Sequence, residues 1–310
     1  MVWLPSRDQW RRLRRISKEY LFSMQRIDAS EVLRQEKVKT LLDHVNRCCT
    51  SEKVVNICGV AFTISLNVLS NLMFSMDFAQ YDSISPQEFK DVVWALMEVL
   101  GKPNIADFFP TLKSFDPQGL ARRGNVYGKK IRSIFYRIID QRLRTKASSS
   151  FTSANNDDLF IAGTDTTSST LEWAMAEVIH NPEKLETARS EKSKDSPVPK
   201  DAQILCNVWA MGRDPKVWSH PEMFMPKRFL EVKIDYKGKD FELIPFGVGR
   251  RMCPGMNIAQ RMLHVMLGSL IKKFDCKLEG YKKAQDMDMG EKFGLTLQRN
   301  VPVKAIPLRV

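Results

Sequence analysis

The chain has 310 residues, of which 43% are hydrophobic and 27% charged, and a formal net charge of +12. That size and balance exclude a disordered or low-complexity polypeptide and leave room for a substantial buried core. The charge fits an acidic protein partner or an anionic membrane surface as well as nucleic acid, and no nucleic-acid-binding motif accompanies it.

Helical patterns dominate along the chain. Ser6-Arg7-Asp8-Gln9 reads as a capping box opening a helix that carries Trp10, Arg11, Arg12, Arg14 and Arg15. Residues 31–46 and 54–76 read as further helices. Val54 to Met76 has no formal charge and is long enough to raise the question of a membrane span. Asn56, Thr63, Asn67, Ser70 and Asn71 recur at roughly helical spacing, so the expectation is a buried helix in a soluble core. Pro86 opens a helix to Leu100 that Gly101-Lys102-Pro103 ends. Pro103, Pro110 and Pro117 break the next stretch into a loop with short turns. Residues 122–146 then form a long basic helix with Ile131, Ile134, Phe135, Ile138, Ile139 and Leu143 inward.

A Ser/Asn-rich break precedes a long helix from Asp157 to His180. Asn181-Pro182 ends it and caps another, to about Lys192. Gln203 to Trp209 reads as a strand. Pro254 to Ile271 reads as a helix with Ala259, Leu263, Met266 and Leu270 on its core face. The tail, punctuated by Pro302 and Pro307, reads as short strands. No internal repeat is visible, and the start has no signal peptide.

Six cysteines, at 48, 49, 58, 206, 253 and 276, form no paired framework and no C-x-x-C. That favours a reducing compartment and thiols that act as small core residues. Cys253 stands apart. It lies in Phe246-Gly247-Val248-Gly249-Arg250-Arg251-Met252-Cys253-Pro254-Gly255, between glycines, behind two arginines and at the start of a helical run. Backbone N–H groups at a helix N-terminus, together with the arginines, favour a thiolate. A thiolate with no redox partner or neighbouring histidine is most simply a metal ligand, as in haem monooxygenases; the bland alternative is a loop cysteine in a Gly-rich turn.

Inside the long helix, Ala162-Gly163-Thr164-Asp165-Thr166-Thr167 is poor helix filler. Ala162, Gly163, Thr166 and Thr167 share a face by their spacing, which lets something flat approach the backbone. The threonine hydroxyls can bond back to carbonyls and open the helix locally; a plain packing face is the alternative.

The spacing F-x-x-G-x-R-x-C-x-G resembles the haem-binding signature of the cytochrome P450 family, matched at Phe246, Gly249, Arg251, Cys253 and Gly255. The resemblance implies a mainly α cytochrome P450 fold with a small β region near the C-terminus, and haem b as cofactor. In the family Cys253 would be the axial ligand, Phe246 would shield its sulfur, Gly249 would permit the loop bend, and Arg251 would meet a propionate. Ala162 and Gly163 would admit the cofactor's face. Asp165 and Thr166 would be the acid–alcohol pair delivering protons during oxygen activation, a pair that a haem-thiolate rearrangement enzyme has no use for. Trp10 and Arg14 form a W-x-x-x-R, which in the family bonds a propionate. The implied activity is monooxygenation of a small lipophilic substrate by O2. The closest likeness is to plant microsomal geraniol-hydroxylase and alkaloid-hydroxylase types, so the substrate would be a terpenoid or alkaloid. Electrons would come from NADPH–cytochrome P450 reductase, docking near Arg11, Arg12 and Arg15. No nucleic acid partner is implied. Full-length relatives of this type sit on the cytosolic face of the endoplasmic reticulum membrane; a chain without their anchor would be cytosolic.

Pro226-Lys227-Arg228-Phe229 is similar to the family's P-x-R-F segment, whose arginine completes a buried triad with an E-x-x-R helix. Glu31-Val32-Leu33-Arg34 comes too early for that helix. Glu186-Thr187-Ala188-Arg189 directly follows Asn181-Pro182-Glu183-Lys184 and runs into a polar loop. The reading is therefore one P450 domain over 1–310 that lacks the anchor and first elements, the E-x-x-R region after about 191, and a short segment near 150–156. Arg228 would then lose its anion and turn outward. The alternative function is an inactive, truncated or mis-spliced member that binds haem weakly or not at all.

Overall fold

A computed structural model describes residues 7–74, 77–78, 85–145, 157–180, 206–229, 234–281 and 283–309. They fall into two compact units, one of residues 1–176 with 257–310 and one of residues 177–256. Ser6, the helix expected to about Lys192 and the start of the strand expected from Gln203 lie outside the described residues.

In the larger unit α1 (Asp8–Arg15) continues into a π-helical turn at Ile16–Leu21. Its N-cap is Arg7, with no side-chain cap bond, so the helix starts one residue later than a cap at Ser6 would place it. α2 (Met24–Ala29) escaped the sequence reading, although Ser23 caps it by accepting from Arg26 N–H. α3 (Glu31–Thr50) leads to β1 (Val55–Asn56) and α4 (Ile57–Phe74). The uncharged stretch is thus a two-residue strand followed by a helix buried on almost every side. Its polar residues bond within the protein: Thr63 donates to the Gly59 carbonyl at 3.0 Å, and Asn67 accepts the Phe78 N–H at 3.1 Å. Among the described residues no helix is long and apolar enough to cross a membrane.

α5 (Ser85–Gly101), short α6 (Ile105–Phe108) and α7 (Leu120–Thr145) follow. Asp116 accepts the Ala121 and Arg122 N–H groups, which fixes the start of α7. α8 (Asp157–His180) is the long helix the sequence predicts.

In the smaller unit α9 (Val208–Met211) replaces the expected strand end at Trp209; Asn207 accepts the Ala210 N–H and starts a helical turn instead. The larger unit resumes with α10 (Met256–Lys273). Its buried stripe is Ile258, Met262, Met266 and Leu270. Two of the four expected core positions shift by one residue, because packing follows the four-residue ridge of the helix rather than a mixed three-and-four pattern. β2 (Phe274–Leu278), β3 (Glu291–Lys292), β4 (Gln298–Arg299) and β5 (Lys304–Arg309) form the tail. One antiparallel sheet has the order β1-β5-β2, and β3 pairs with β4. β1 reaches only Ala305 and Lys304. Pro307 therefore sits where β5 has one neighbour, which tolerates a residue without an N–H.

One of two glycines at the α5–α7 contact region sets a close approach. A Cβ on Gly101, at the end of α5, would lie 2.4 Å from the Leu295 nitrogen and 2.6 Å from the Gly294 carbonyl carbon, both backbone. A Cβ on Gly124 of α7 would meet only Val99 of α5, at an ordinary 3.6 Å. Gly101→Ala should therefore destabilise the chain by about 1–3 kcal/mol by forcing the β3–β4 connection off α5. Gly124→Ala should be neutral or stabilising by up to about 1 kcal/mol through helix propensity. Chemical denaturation of both variants checks this contrast, and equal midpoints would contradict it.

Candidate functional site

In the smaller unit the chain turns back on itself just before Cys253. The Cys253 N–H donates to the Phe246 carbonyl at 2.9 Å, and Gly247 N–H to the Ile244 carbonyl at 2.9 Å. Gly249–Arg251 forms one 3-10 turn. Gly247 and Gly249 hold left-handed φ values of 70° and 64°, which an L side chain adopts at a cost. Nothing lies within 4 Å of where their Cβ atoms would sit, so the loop presents bare backbone. Gly238 backs it so closely that a Cβ there would meet the Gly247 oxygen at 3.2 Å. Phe246 is half-buried and packs on Tyr236 with ring centroids 6.1 Å apart. Cys253 and Gly255 are half-buried and Arg251 exposed.

This loop fits a flat macrocycle carried on one thiolate. Bare glycine backbone admits a planar face, and Cys253 is only half-buried. Among the described residues no cluster of three His, Cys, Asp or Glu side chains forms a multidentate metal site. Burial pushes the Cys276 thiol up to about 11, and burial with the nearby Glu172 pushes Cys58 up as well, so both remain protonated.

Arg228, expected to turn outward, is instead buried. Its guanidinium donates to the carbonyls of Ser219 (3.1 Å), His220 (3.0 Å) and Met223 (3.0 Å). It also lies over the Trp218 ring, at 5.9 Å. Five N–H donors in a fixed fork let arginine satisfy itself on carbonyl oxygens where no carboxylate is at hand. Desolvation lowers its pKa, and among the described residues no charge partner offsets this.

In the larger unit Trp10 is buried on α1, and Arg14 lies one turn further along the same face. On α8 the small-residue face divides. Ala162 and Gly163 are half-buried, Thr166 exposed and Thr167 buried. A Cβ on Gly163 would lie 2.6 Å from a terminal methyl of Leu69 on α4, so this glycine makes room for a packed side chain. Thr166 donates to the Ala162 carbonyl, and Thr170 to the Thr166 carbonyl at 2.8 Å, the back-bonding that the sequence predicts.

Asp165 and Thr166 do not meet as a bonded pair. Successive helix residues diverge by about 100°, and they face different surroundings here. Asp165 is 1% exposed. Its carboxyl accepts from the Thr296 hydroxyl and from Gln298 Nε2 at 3.2 Å. The Trp94 indole N–H helps hold its charge, although it falls outside good hydrogen-bond geometry. The sequence signal for Thr296 and Gln298 was slight: two polar residues at a strand's two-residue spacing. Glu172, also buried, accepts the Val303 N–H at 2.9 Å and the Cys58 thiol. Burial raises both carboxyls, and their donors only partly offset it.

Both acids therefore bind their proton more tightly in the folded chain than in the unfolded one. Each favours the fold below its ordinary value, 3.8 for Asp165 and 4.5 for Glu172, and that contribution is lost as pH rises through the raised folded value. Asp165→Asn and Glu172→Gln should each flatten the fall in melting temperature between roughly pH 4 and neutrality. Thermal melts across that range test this; a slope equal to the parent's would refute it.

A sequence profile of the family described as Cytochrome P450 matches residues 1–194 and 192–303. The chain is 44% identical to "Cytochrome P450 76T24" of Catharanthus roseus, over 100% of this chain and 77% of that protein. It is 40% identical to "Cytochrome P450 76AD1" of Beta vulgaris, over 99% of this chain and 76% of that protein. It is 39% identical to "Geraniol 8-hydroxylase" of Swertia mussotii, again over 99% and 76%. With a matching profile across both units and relatives this similar over nearly every residue, the chain belongs to the cytochrome P450 family of haem b monooxygenases.

Proposed function

We propose that this chain inserts one oxygen atom from O2 into a small lipophilic substrate of the terpenoid or alkaloid kind, with Cys253 as the thiolate ligand of its haem. The observation that carries the reading is the loop from Phe246 to Cys253. It closes on its own backbone, leaves two left-handed glycines bare, and presents a single half-buried sulfur. When bound, haem b supplies the redox chemistry by which O2 is reduced and one of its atoms is transferred to carbon. Phe246 keeps water from the sulfur, while Gly249 and Gly255 let backbone approach closely. With haem bound, Arg251, Trp10 and Arg14 would hold its propionates, the arginines by paired N–H donors. Ala162 would keep side-chain bulk off the helix face, while Gly163 makes room for Leu69 of α4. The terpenoid class is supported by relatives whose names describe a geraniol hydroxylase and a ferruginol synthase.

Asp165 and Thr166 hold and move the proton that oxygen reduction requires. Asp165 takes it up on a buried carboxyl of raised proton affinity. Thr166, whose hydroxyl rests on the Ala162 carbonyl and not on Asp165, would join the route once it rotates between the two χ1 wells a helical threonine populates and the Asp165 carboxyl turns to meet it. The exposed Arg11, Arg12 and Arg15 of α1 suit an acidic electron donor, NADPH–cytochrome P450 reductase. The proposed location, for full-length relatives, is the cytosolic face of the endoplasmic reticulum membrane.

Two observations favour a second reading, a catalytically inactive, truncated or mis-spliced single domain with weak or no haem binding. The profile match breaks at 192–194, and the alignment to the Catharanthus protein runs over 383 positions against 310 residues here. Both fit the loss of an E-x-x-R region after about 191. The absorption spectrum of the reduced, carbon-monoxide-bound protein separates the readings. A thiolate-type Soret band, lost in Cys253→Ala and kept in Cys48→Ala, Cys58→Ala and Cys276→Ala, supports the enzyme. No such band in the parent supports the shortened form, and a band surviving in Cys253→Ala defeats the ligand assignment. In haem-loaded protein, Thr166→Ala should divert electrons into peroxide, lowering product per NADPH by roughly ten-fold or more. A peroxide yield equal to the parent's removes Thr166 from proton delivery.

A further inference from the structure

The carboxyl of Asp165 is reached through a short polar layer. Thr296 and Gln298 hold its two oxygens from the β3–β4 connection, and Trp94 approaches from α5. On their far side the same three residues line a cavity of about 220 Å³, shared with Asp91, Glu98 and Lys292. Such a volume holds several waters, at roughly 30 Å³ each, and its polar wall offers the partners they need. Thr296 has the chemistry of a bridge. A hydroxyl donates one hydrogen and accepts through two lone pairs, so it can bond Asp165 and a cavity water together. Gln298 holds the other oxygen by an amide, which exchanges protons too slowly to serve as a relay.

We propose that Thr296 is the entry point through which protons reach Asp165 from this cavity. The step balances without a co-reactant. The Thr296 hydroxyl hydrogen passes to the Asp165 carboxylate as a cavity water, itself replenished from solvent, gives a hydrogen to the Thr296 oxygen. The hydroxide left in the cavity takes up a proton from solvent, so the net change is one proton moved from bulk solvent to Asp165. Gln298 positions the carboxyl so that the oxygen facing Thr296 receives it. The clamp that fixes this geometry is independent of Asp165: Ser169 and Trp173, one and two turns further along α8, donate to the Leu297 carbonyl at 2.9 and 3.1 Å. Other charged or titratable groups around Asp165 are Lys90 on α5 and Cys58 on α4, and Glu172 on α8 beside them faces Arg299 on β4. Lys90 lies over the Trp94 ring at 4.1 Å.

This rests on the proton role of Asp165 proposed above, and the experiment separates the two. Thr296→Val keeps the shape and removes the hydroxyl; Thr296→Ser restores it. Infrared titration of the full chain, with the Asp165 carboxyl band assigned by its loss in Asp165→Asn, needs no turnover. Thr296→Val should move that band and raise its titration midpoint, because a donor to the charged form is gone, while Thr296→Ser should keep both. In haem-loaded protein Thr296→Val should lower product per NADPH by about ten-fold or more, with Thr296→Ser near the parent. An unmoved band in Thr296→Val, or a serine variant that behaves as the valine one, overturns the proposal. If Asp165→Asn uncouples turnover and Thr296→Val does not, the entry through Thr296 falls and the role of Asp165 stands. If Asp165→Asn leaves coupling intact, both fall.

Discussion

A stripe of α8 gripping the C-terminal tail is the constraint on which the larger unit depends. Asp165, Ser169 and Trp173, four residues apart, bind the three consecutive residues Thr296, Leu297 and Gln298. Glu172, on the neighbouring ridge, takes the Val303 N–H and the Cys58 thiol, tying α8 to both α4 and the strand that follows. Two carboxyls buried this deeply would each cost several kcal/mol without partners. Hydrogen bonds to charged groups contribute about 1.5–3 kcal/mol each and offset part of that. The remainder appears as raised proton affinity, which is the property a proton-handling acid needs. One arrangement thus explains how the tail is held and why the Asp165 carboxyl keeps a raised proton affinity.

Packing around this stripe is close enough that missing side chains matter. Gly101 lets the β3–β4 connection touch α5, and Gly163 lets Leu69 press into α8. The first contact is to backbone and cannot yield; the second is to the end of a flexible side chain. Gly163 was expected to clear space for a cofactor, and it clears space for α4 on the side where its own Cβ would stand. The open side of α8 belongs to Ala162, Thr166 and Thr170.

The smaller unit solves a different problem. Arg228, in a segment whose family pattern expects a carboxylate, finds three carbonyl oxygens and an indole face. That satisfies its donors without cancelling its charge, and desolvation therefore stands uncompensated. Close by in sequence, the loop before Cys253 turns back through its own backbone bonds, with Phe246 packed on Tyr236 and Gly238 set against Gly247.

What the sequence determined is what local chemistry determines. Helix-forming runs, proline and glycine breaks and the Gly/Arg setting of Cys253 are properties of neighbours, so α3, α5, α7, α8 and α10 and the loop at Phe246–Cys253 were legible from residue order. The family signature, which is itself local, carried the cofactor with it. The tertiary structure alone decided what lies far apart in the chain. Thr296 meets Asp165 across 131 positions and Gln298 across 133, and no periodicity links such residues. Nor does helical spacing say which of two adjacent faces meets another element. Thr166 stayed open, while the Cβ side of Gly163 is filled because Leu69 on a separate helix occupies it.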